Sequence, residues 1–109
     1  MEHSVNSEGP FTVVSLVGDV DLQNSPQARQ QILHQVRAGN DVLVDLSAVN
    51  YIDSSGVASL VEGFQVAREM GNRFGLTGVS DTAMQVLHLA RLDQVFDIRA
   101  SVAVWLEGE

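Results

Sequence analysis

The chain has 109 residues, 45% of them hydrophobic, no cysteine, and a formal charge of −8 from six basic and fourteen acidic residues. That length suits one domain spanning residues 1–109 around a single packed core, and the absent cysteines exclude disulfides and thiolate metal sites. The acidity speaks against nucleic acid, whose affinity rests on neutralised phosphates, and no apolar run approaches the roughly 20 residues of a membrane span.

In chain order, Met1-Glu2-His3-Ser4 has neither the basic nor the apolar part of a secretory signal. The first ten residues are polar and end in the turn signal Gly9-Pro10, with room for a short edge strand before it. Phe11 to Val17 is apolar and β-branched, so it reads as a strand, which Gly18 ends; Gly18-Asp19-Val20-Asp21 is its exit loop. Ser25-Pro26 opens a helix, a capping residue followed by proline at the first helical position. Ala28, Ile32, Leu33 and Val36 share one face of it, and Gly39-Asn40 stops it. Val42 to Leu46 is nearly continuous in apolar character, as in a strand buried on both faces.

A second helix begins near Ser54, with Val57, Leu60, Val61, Phe64 and Ala67 as its buried stripe and Gly71-Asn72 at its end. Phe74 to Val79 reads as the next strand. Ser80 caps a third helix with Ala83, Val86, Leu87 and Ala90 inward, Val95 to Ile98 is a short strand or extended segment, and Ser101 to Leu106 is a final helical turn or two. Trp105 is a terminal packing residue. No repeat, low-complexity tract or linker interrupts this order. The alternation predicts an α/β fold, a mostly parallel central sheet of four to five strands covered by three to four helices.

In such sheets the functional loops leave the carboxyl ends of the strands. Asp21, Asp45 and Asp53 are expected to collect there, with Ser54 on the same rim. A three-carboxylate rim suggests a phosphorylatable receiver, but that chemistry uses a lysine and all six basic residues here are arginine. The same lack removes the phosphate-cradling P-loop. Neither His34 nor His88 follows a strand end, and Ser54 is not in a Gly-x-Ser-x-Gly elbow, so no hydrolase is built. No enzyme, cofactor or metal site is expected. Asp53-Ser54-Ser55 on its own favours a plain helix cap, and its position at a helix start also suits an added phosphate.

Leu46-Ser47-Ala48-Val49-Asn50-Tyr51-Ile52-Asp53-Ser54-Ser55-Gly56 resembles the signature of the STAS domain family of sulfate transporters and anti-sigma factor antagonists. Gly18-Asp19-Val20-Asp21 resembles that family's Gly-[Glu/Asp]-[Leu/Val/Ile]-Asp strand exit, Val42 to Leu46 its strand before the switch loop, and Arg91 to Ile98 its late turn and strand. The match runs in order along nearly the whole chain. The resemblance implies the STAS fold and, for a stand-alone chain, an anti-sigma factor antagonist. Such a protein binds an anti-sigma factor that is also a serine kinase, frees a sigma factor in the bacterial cytoplasm, and is switched off by phosphorylation of the serine after the Asp. A phosphatase resets it.

Carried over, the resemblance makes Ser54 the acceptor, with Ser55 its neighbour. The expected partner-binding residues are Asp19, Asp21, Leu22, Asp45, Asp53, Ser55, Gly56, Ser59 and Glu62, on the switch loop, the β-exit loop and the outer face of the second helix. Two departures stand out. Gly56-Val57-Ala58 replaces the family's Gly-Leu-Gly, and Arg91 replaces a Gly before Leu92. A rival within the family is the STAS subunit of phospholipid-trafficking ABC transporters, docked on its ATPase, which Gly71-Asn72 followed by Leu76 to Asp81 resembles. Both switch serines favour the antagonist. A fragment of a larger sensor or transporter is a third reading, against which the chain's ends speak.

Overall fold

The computed structural model describes residues Met1–Glu109. Ten elements follow one another: β1 (Glu2–Glu8), β2 (Phe11–Val20), α1 (Ser25–Arg37), β3 (Asp41–Ile52), α2 (Ser54–Glu69), β4 (Phe74–Thr77), α3 (Asp81–Leu89), a 3-10 turn (Leu92–Gln94), β5 (Asp97–Arg99) and α4 (Val102–Glu107). The sheet order is β1-β2-β3-β4-β5. β1 pairs antiparallel to β2, and the other pairings are parallel. Strands laid down in sequence order with right-handed crossovers place α1, α2 and α3 on one face.

That face holds the main core, where Val14 and Leu16 of β2, Val42, Val44 and Leu46 of β3, and Leu76 of β4 meet Ile32 and Val36 of α1, Leu60 and Ala67 of α2, and Leu87 of α3. The pleat turns Phe11, Val13 and Leu43 to the opposite face. α4 is the only helix that covers them there, and the Arg73 guanidinium lies over the Phe11 ring at 4.5 Å. Trp105 of α4 is 4% exposed, packs edge-on to Phe11 with centroids 5.7 Å apart, and lies under the Arg99 guanidinium at 4.0 Å. Gly75 leaves the notch for that indole, since a Cβ there would overlap the Trp105 ring.

The apolar stripes of the helices match the periodicity for Ala28, Ile32, Leu33 and Val36, and for Val57, Leu60 and Ala67; Val61 and Phe64 are only half-buried. The element ends differ in several places, among them β5, which spans Asp97–Arg99 rather than Val95 to Ile98. β2 runs past Gly18 to Val20, and the pairing absorbs Gly18, at φ +95°, through register shifts. β3 runs past Leu46 to Ile52, because β2 remains alongside it to the end. β4 stops at Thr77, since Gly78 turns at φ +59°. Ala90 is exposed because α3 ends at Leu89. At α1 the cap is Asn24 rather than Ser25. Its side chain makes no cap bond, and Ser25 and Pro26 are already helical.

Candidate functional site

β3 delivers the chain at Ile52 to Asp53, whose extended backbone (φ −110°, ψ −172°) makes it the N-cap of α2. Asp53 Oδ1 accepts from the Ser55 N–H at 3.0 Å, the Gly56 N–H at 3.2 Å and the Ser55 hydroxyl at 2.5 Å. Asp53 Oδ2 accepts from the Leu22 N–H at 3.1 Å, and the Asp53 N–H donates to the Val20 carbonyl at 3.3 Å. The Ser55 hydroxyl, helped by the Gly56, Ser55 and Leu22 N–H groups, holds the Asp53 carboxyl below the usual aspartate range, against a smaller opposing effect of burial. One carboxylate therefore ties the start of α2 to the exit of β2.

The two serines are not equivalent. The Ser55 hydroxyl is committed to Asp53 and is half-buried. Ser54, the first residue of α2, is exposed, and its hydroxyl makes no hydrogen bond within the chain. Its Oγ is open to another molecule, beside N–H groups that favour negative charge.

The remaining expected site residues divide. Asp19 is exposed at the end of β2, level with Tyr51. Asp21 accepts from the Asn24 N–H at 2.9 Å through its side chain and from the Ser25 N–H at 2.7 Å through its carbonyl, which closes the turn into α1. Leu22, within that turn, is 76% exposed. Asp19, Asp21, Leu22, Asp53 and Ser54 thus share one end of the sheet.

Asp45 does not join them. It lies mid-strand, in register with Ser15 and Thr77, and eight residue steps along β3 to Asp53 at about 3.3 Å each put the two up to about 26 Å apart. Its carboxylate accepts from the Ser47 N–H at 2.9 Å. The expected three-carboxylate rim is corrected for that reason, and no group of three or more His, Cys, Asp or Glu residues could hold a metal ion.

Gly56 is buried, so it cannot itself meet a partner. A Cβ there would overlap the Val20 carbonyl oxygen and lie 2.7 Å from Ile52 Cγ1, so the missing side chain is what lets α2 start against the end of β2. Ser59, expected on the outer face of α2, is 5% exposed, and its hydroxyl faces the Ser25 carbonyl at 3.3 Å and the Ser55 carbonyl at 3.2 Å. α1 covers that side of α2. Glu62, on the same side, is in a two-pronged ion pair with Arg29 at 2.6 and 2.7 Å, and each partner keeps the other charged. Gln65, Arg68 and Glu69 are exposed, as the helical repeat of α2 predicts, and Ala58 joins them on the outward face.

Three features escaped the sequence reading. Tyr51, 49% exposed opposite Asp19, joins the same end of the sheet; the signal for it was an aromatic residue just before the cap. The bond from Leu22 to Asp53 joins positions 31 apart, and no local pattern announces it. Arg91 has φ +60°, the left-handed conformation that suits the Gly it replaces.

Comparison with known proteins agrees with this geometry. The family profile described as "Mlab, STAS domain" matches residues 3–100. An anti-sigma-B factor antagonist of Bacillus subtilis (strain 168) is 25% identical over 87 residues, 80% of this chain and 80% of its own. A solved anti-sigma factor antagonist from Mycobacterium paratuberculosis superposes with a TM-score of 0.88 at 24% identity, covering 98% of this chain and 92% of its own. The Bacillus cell fate determinant SpoIIAA in its phosphorylated form gives 0.75 at 17% identity, covering 99% of this chain and 100% of its own. At these identities the solved structures establish the fold.

Proposed function

The chain belongs to the STAS domain family, and we propose that it is an anti-sigma factor antagonist, a binding module whose partner is an anti-sigma factor with serine-kinase activity. In this reading Ser54 is the phosphorylation site. Its Oγ attacks the γ-phosphorus of the kinase's ATP, a new O–P bond forms, ADP leaves, and the hydroxyl proton passes to a base on the kinase. The observation that carries the assignment is the contrast between the free, exposed Ser54 hydroxyl and the Ser55 hydroxyl bound to Asp53. The antagonist names of the curated relatives support the choice of partner.

A phosphate adds about −1.5 to −2 charge at neutral pH. The N-terminus of α2 tolerates it, while Asp53, Asp21 and Asp19 stand on the same rim. The rim at Ser54 becomes sharply more anionic and costly to desolvate, so an apolar or acidic partner patch that faces Ser54 itself lets go while the fold stays intact. Unmodified, the protein binds the kinase and frees a sigma factor in the cytoplasm, and a phosphatase restores it.

The test is the purified chain with its kinase and ATP. A phosphate should appear on the peptide carrying Ser54 and be absent from Ser54→Ala, which should still bind. Ser54→Asp should bind weakly. Equal affinity of the two variants would refute the switch, and recovery of an ABC-type ATPase with Ser54→Ala, identified by mass, would replace this reading with the transporter-subunit one.

A further inference from the structure

We propose that Asp53 is a positioning residue for Leu22, and that Leu22 is the apolar anchor received by a socket on the partner lined by aliphatic side chains and rimmed by Arg or Lys. The inference rests on the reading of the chain as a protein-binding switch and names the chemistry of its docking surface.

Leu22 is one of the two most exposed large apolar residues, 76% accessible at the tip of a turn. A leucine so displayed has no role in the core, since Val20, two residues earlier, is 1% exposed and already fills the position below it. The turn does not hold the Leu22 N–H: its internal bonds run from the Asn24 and Ser25 N–H groups to the Asp21 carbonyl. The tether is Asp53 Oδ2, which the Leu22 N–H reaches at 3.1 Å. Asp53 has a hold on the neighbouring backbone as well, through its own N–H on the Val20 carbonyl. The other carboxylate oxygen is occupied by the cap of α2. The rotamer of Asp53 is therefore fixed from two directions, and a turn closed on itself at Asp21 and Asn24 is fastened at Leu22 to a rigid helix start.

The charge around Leu22 is of one sign. Asp19 and Asp21 stand on the same rim, and neither has an arginine partner, since the ion pairs of the chain use Glu62, Asp41, Glu109, Asp93 and Asp97, while both oxygens of Asp53 are taken by the Leu22 tether and the cap of α2. An apolar tip inside an unpaired acidic ring is complementary to an aliphatic pocket ringed by cations. The same arrangement gives the loop a route to respond to Ser54, because the Asp53 carboxylate and a phosphate on Ser54 repel each other beside the N–H groups of the helix start.

Asp53→Asn is the selective perturbation. Its amide oxygen still caps α2, Asn being as good a cap as Asp, while its NH2 now faces the Leu22 N–H and cannot accept from it. Without any partner, hydrogen exchange followed by NMR should show the Leu22 amide protected in the parent chain and fast in Asp53→Asn, with the α2 amides unchanged. A Leu22 amide already fast in the parent chain overturns the tether.

With a purified anti-sigma factor of the serine-kinase type from the same organism, Leu22→Ala should lose about 30-fold in affinity, as expected for truncation of a central anchor. Asp53→Asn should weaken binding too, yet add nothing in the Leu22→Ala background, because it acts through Leu22. Parental affinity in Leu22→Ala overturns the anchor. Losses that multiply in the double variant overturn the positioning role and leave Asp53 a direct contact. If the parent chain itself fails to bind such a factor, the proposed function falls, and the exchange experiment still decides the tether by itself.

Discussion

Gly56→Ala tests whether the close approach of α2 to β2 holds the site together. The added methyl would overlap the Val20 carbonyl oxygen and lie 2.7 Å from Ile52 Cγ1 and 2.9 Å from Val20 Cγ1. Ordinary carbon contacts are about 3.5–4.0 Å, so the helix start must retreat by about 1 Å from two buried residues. Ile52 and Val20 are 2% and 1% exposed and have no free volume to move into. Overpacking of this kind costs about 1–3 kcal/mol, and the obstruction by backbone puts this case at the upper end. Alanine recovers up to about 1 kcal/mol of helix propensity over glycine. The net loss is about 2 kcal/mol, a fall in Tm of roughly 8–12 °C for a chain of this size. Urea unfolding followed by circular dichroism measures it, with Ser54→Ala as the control. Ser54 lies two residues away on the exposed side and makes no hydrogen bond, so its variant should stay within about 0.5 kcal/mol of the parent. A Gly56→Ala protein as stable as that control would refute the argument that packing dictates glycine here.

Three further outcomes are expected. The Asp53 carboxyl, followed by NMR, should titrate below the ordinary aspartate range, and Ser55→Ala should move it upward because the Ser55 hydroxyl is the main cause of the shift. Since the folded-state pKa lies below the unfolded one, Asp53's contribution to stability is complete above about pH 4 and is lost as pH falls through the folded pKa; an acid limb equally steep in the parent and in Asp53→Asn would contradict this. Arg91→Gly should stabilise the protein by up to about 1 kcal/mol in urea unfolding, since the left-handed conformation at φ +60° strains any residue with a Cβ, and a loss would show that the Arg91 side chain contributes more than its backbone costs. Trp105→Ala should destabilise by about 3–5 kcal/mol, because the indole fills the Gly75 notch and α4 is the only helix on its face; a loss under about 1 kcal/mol would mean α4 is not part of the folded core.

The sheet and its helical face were readable because each depends on local periodicity. Ile32 and Val36, or Leu60 and Ala67, recur at helical spacing whatever lies across from them. What escaped the sequence was set by partners remote in the chain. β3 runs on to Ile52 through the polar Ser47 and Asn50 because β2 is paired alongside, and neither strand signals this by itself. That extension also carries Asp45 away from the start of α2, since a carboxylate expected at a strand end lies in mid-strand. Ser59 and Glu62 looked exposed on the helical repeat of α2 alone. The contact of α1 along α2 buries the first and pairs the second. The cap of α2 was legible, because Asp53 bonds residues two and three places on; its bond to Leu22 was not.

The clearest gain concerns the two serines. Side by side in sequence they are equal candidates for a phosphate, both at a helix start and both after a capping Asp. The helix distinguishes them by rotation. Ser55, two residues after the cap, places its hydroxyl against Asp53 Oδ1, and transfer there would require breaking the 2.5 Å bond that leads in lowering the pKa of that carboxyl. Ser54, one residue earlier, points away from that bond network and meets only solvent. The pair therefore differs in availability: the Ser55 hydroxyl is engaged with the Asp53 carboxylate, and the Ser54 hydroxyl is free. Exchanging these roles should be hard. In Ser54→Ala the second serine should not become the acceptor, and phosphate found on Ser55 in that variant would show that the bond to Asp53 gives it no protection.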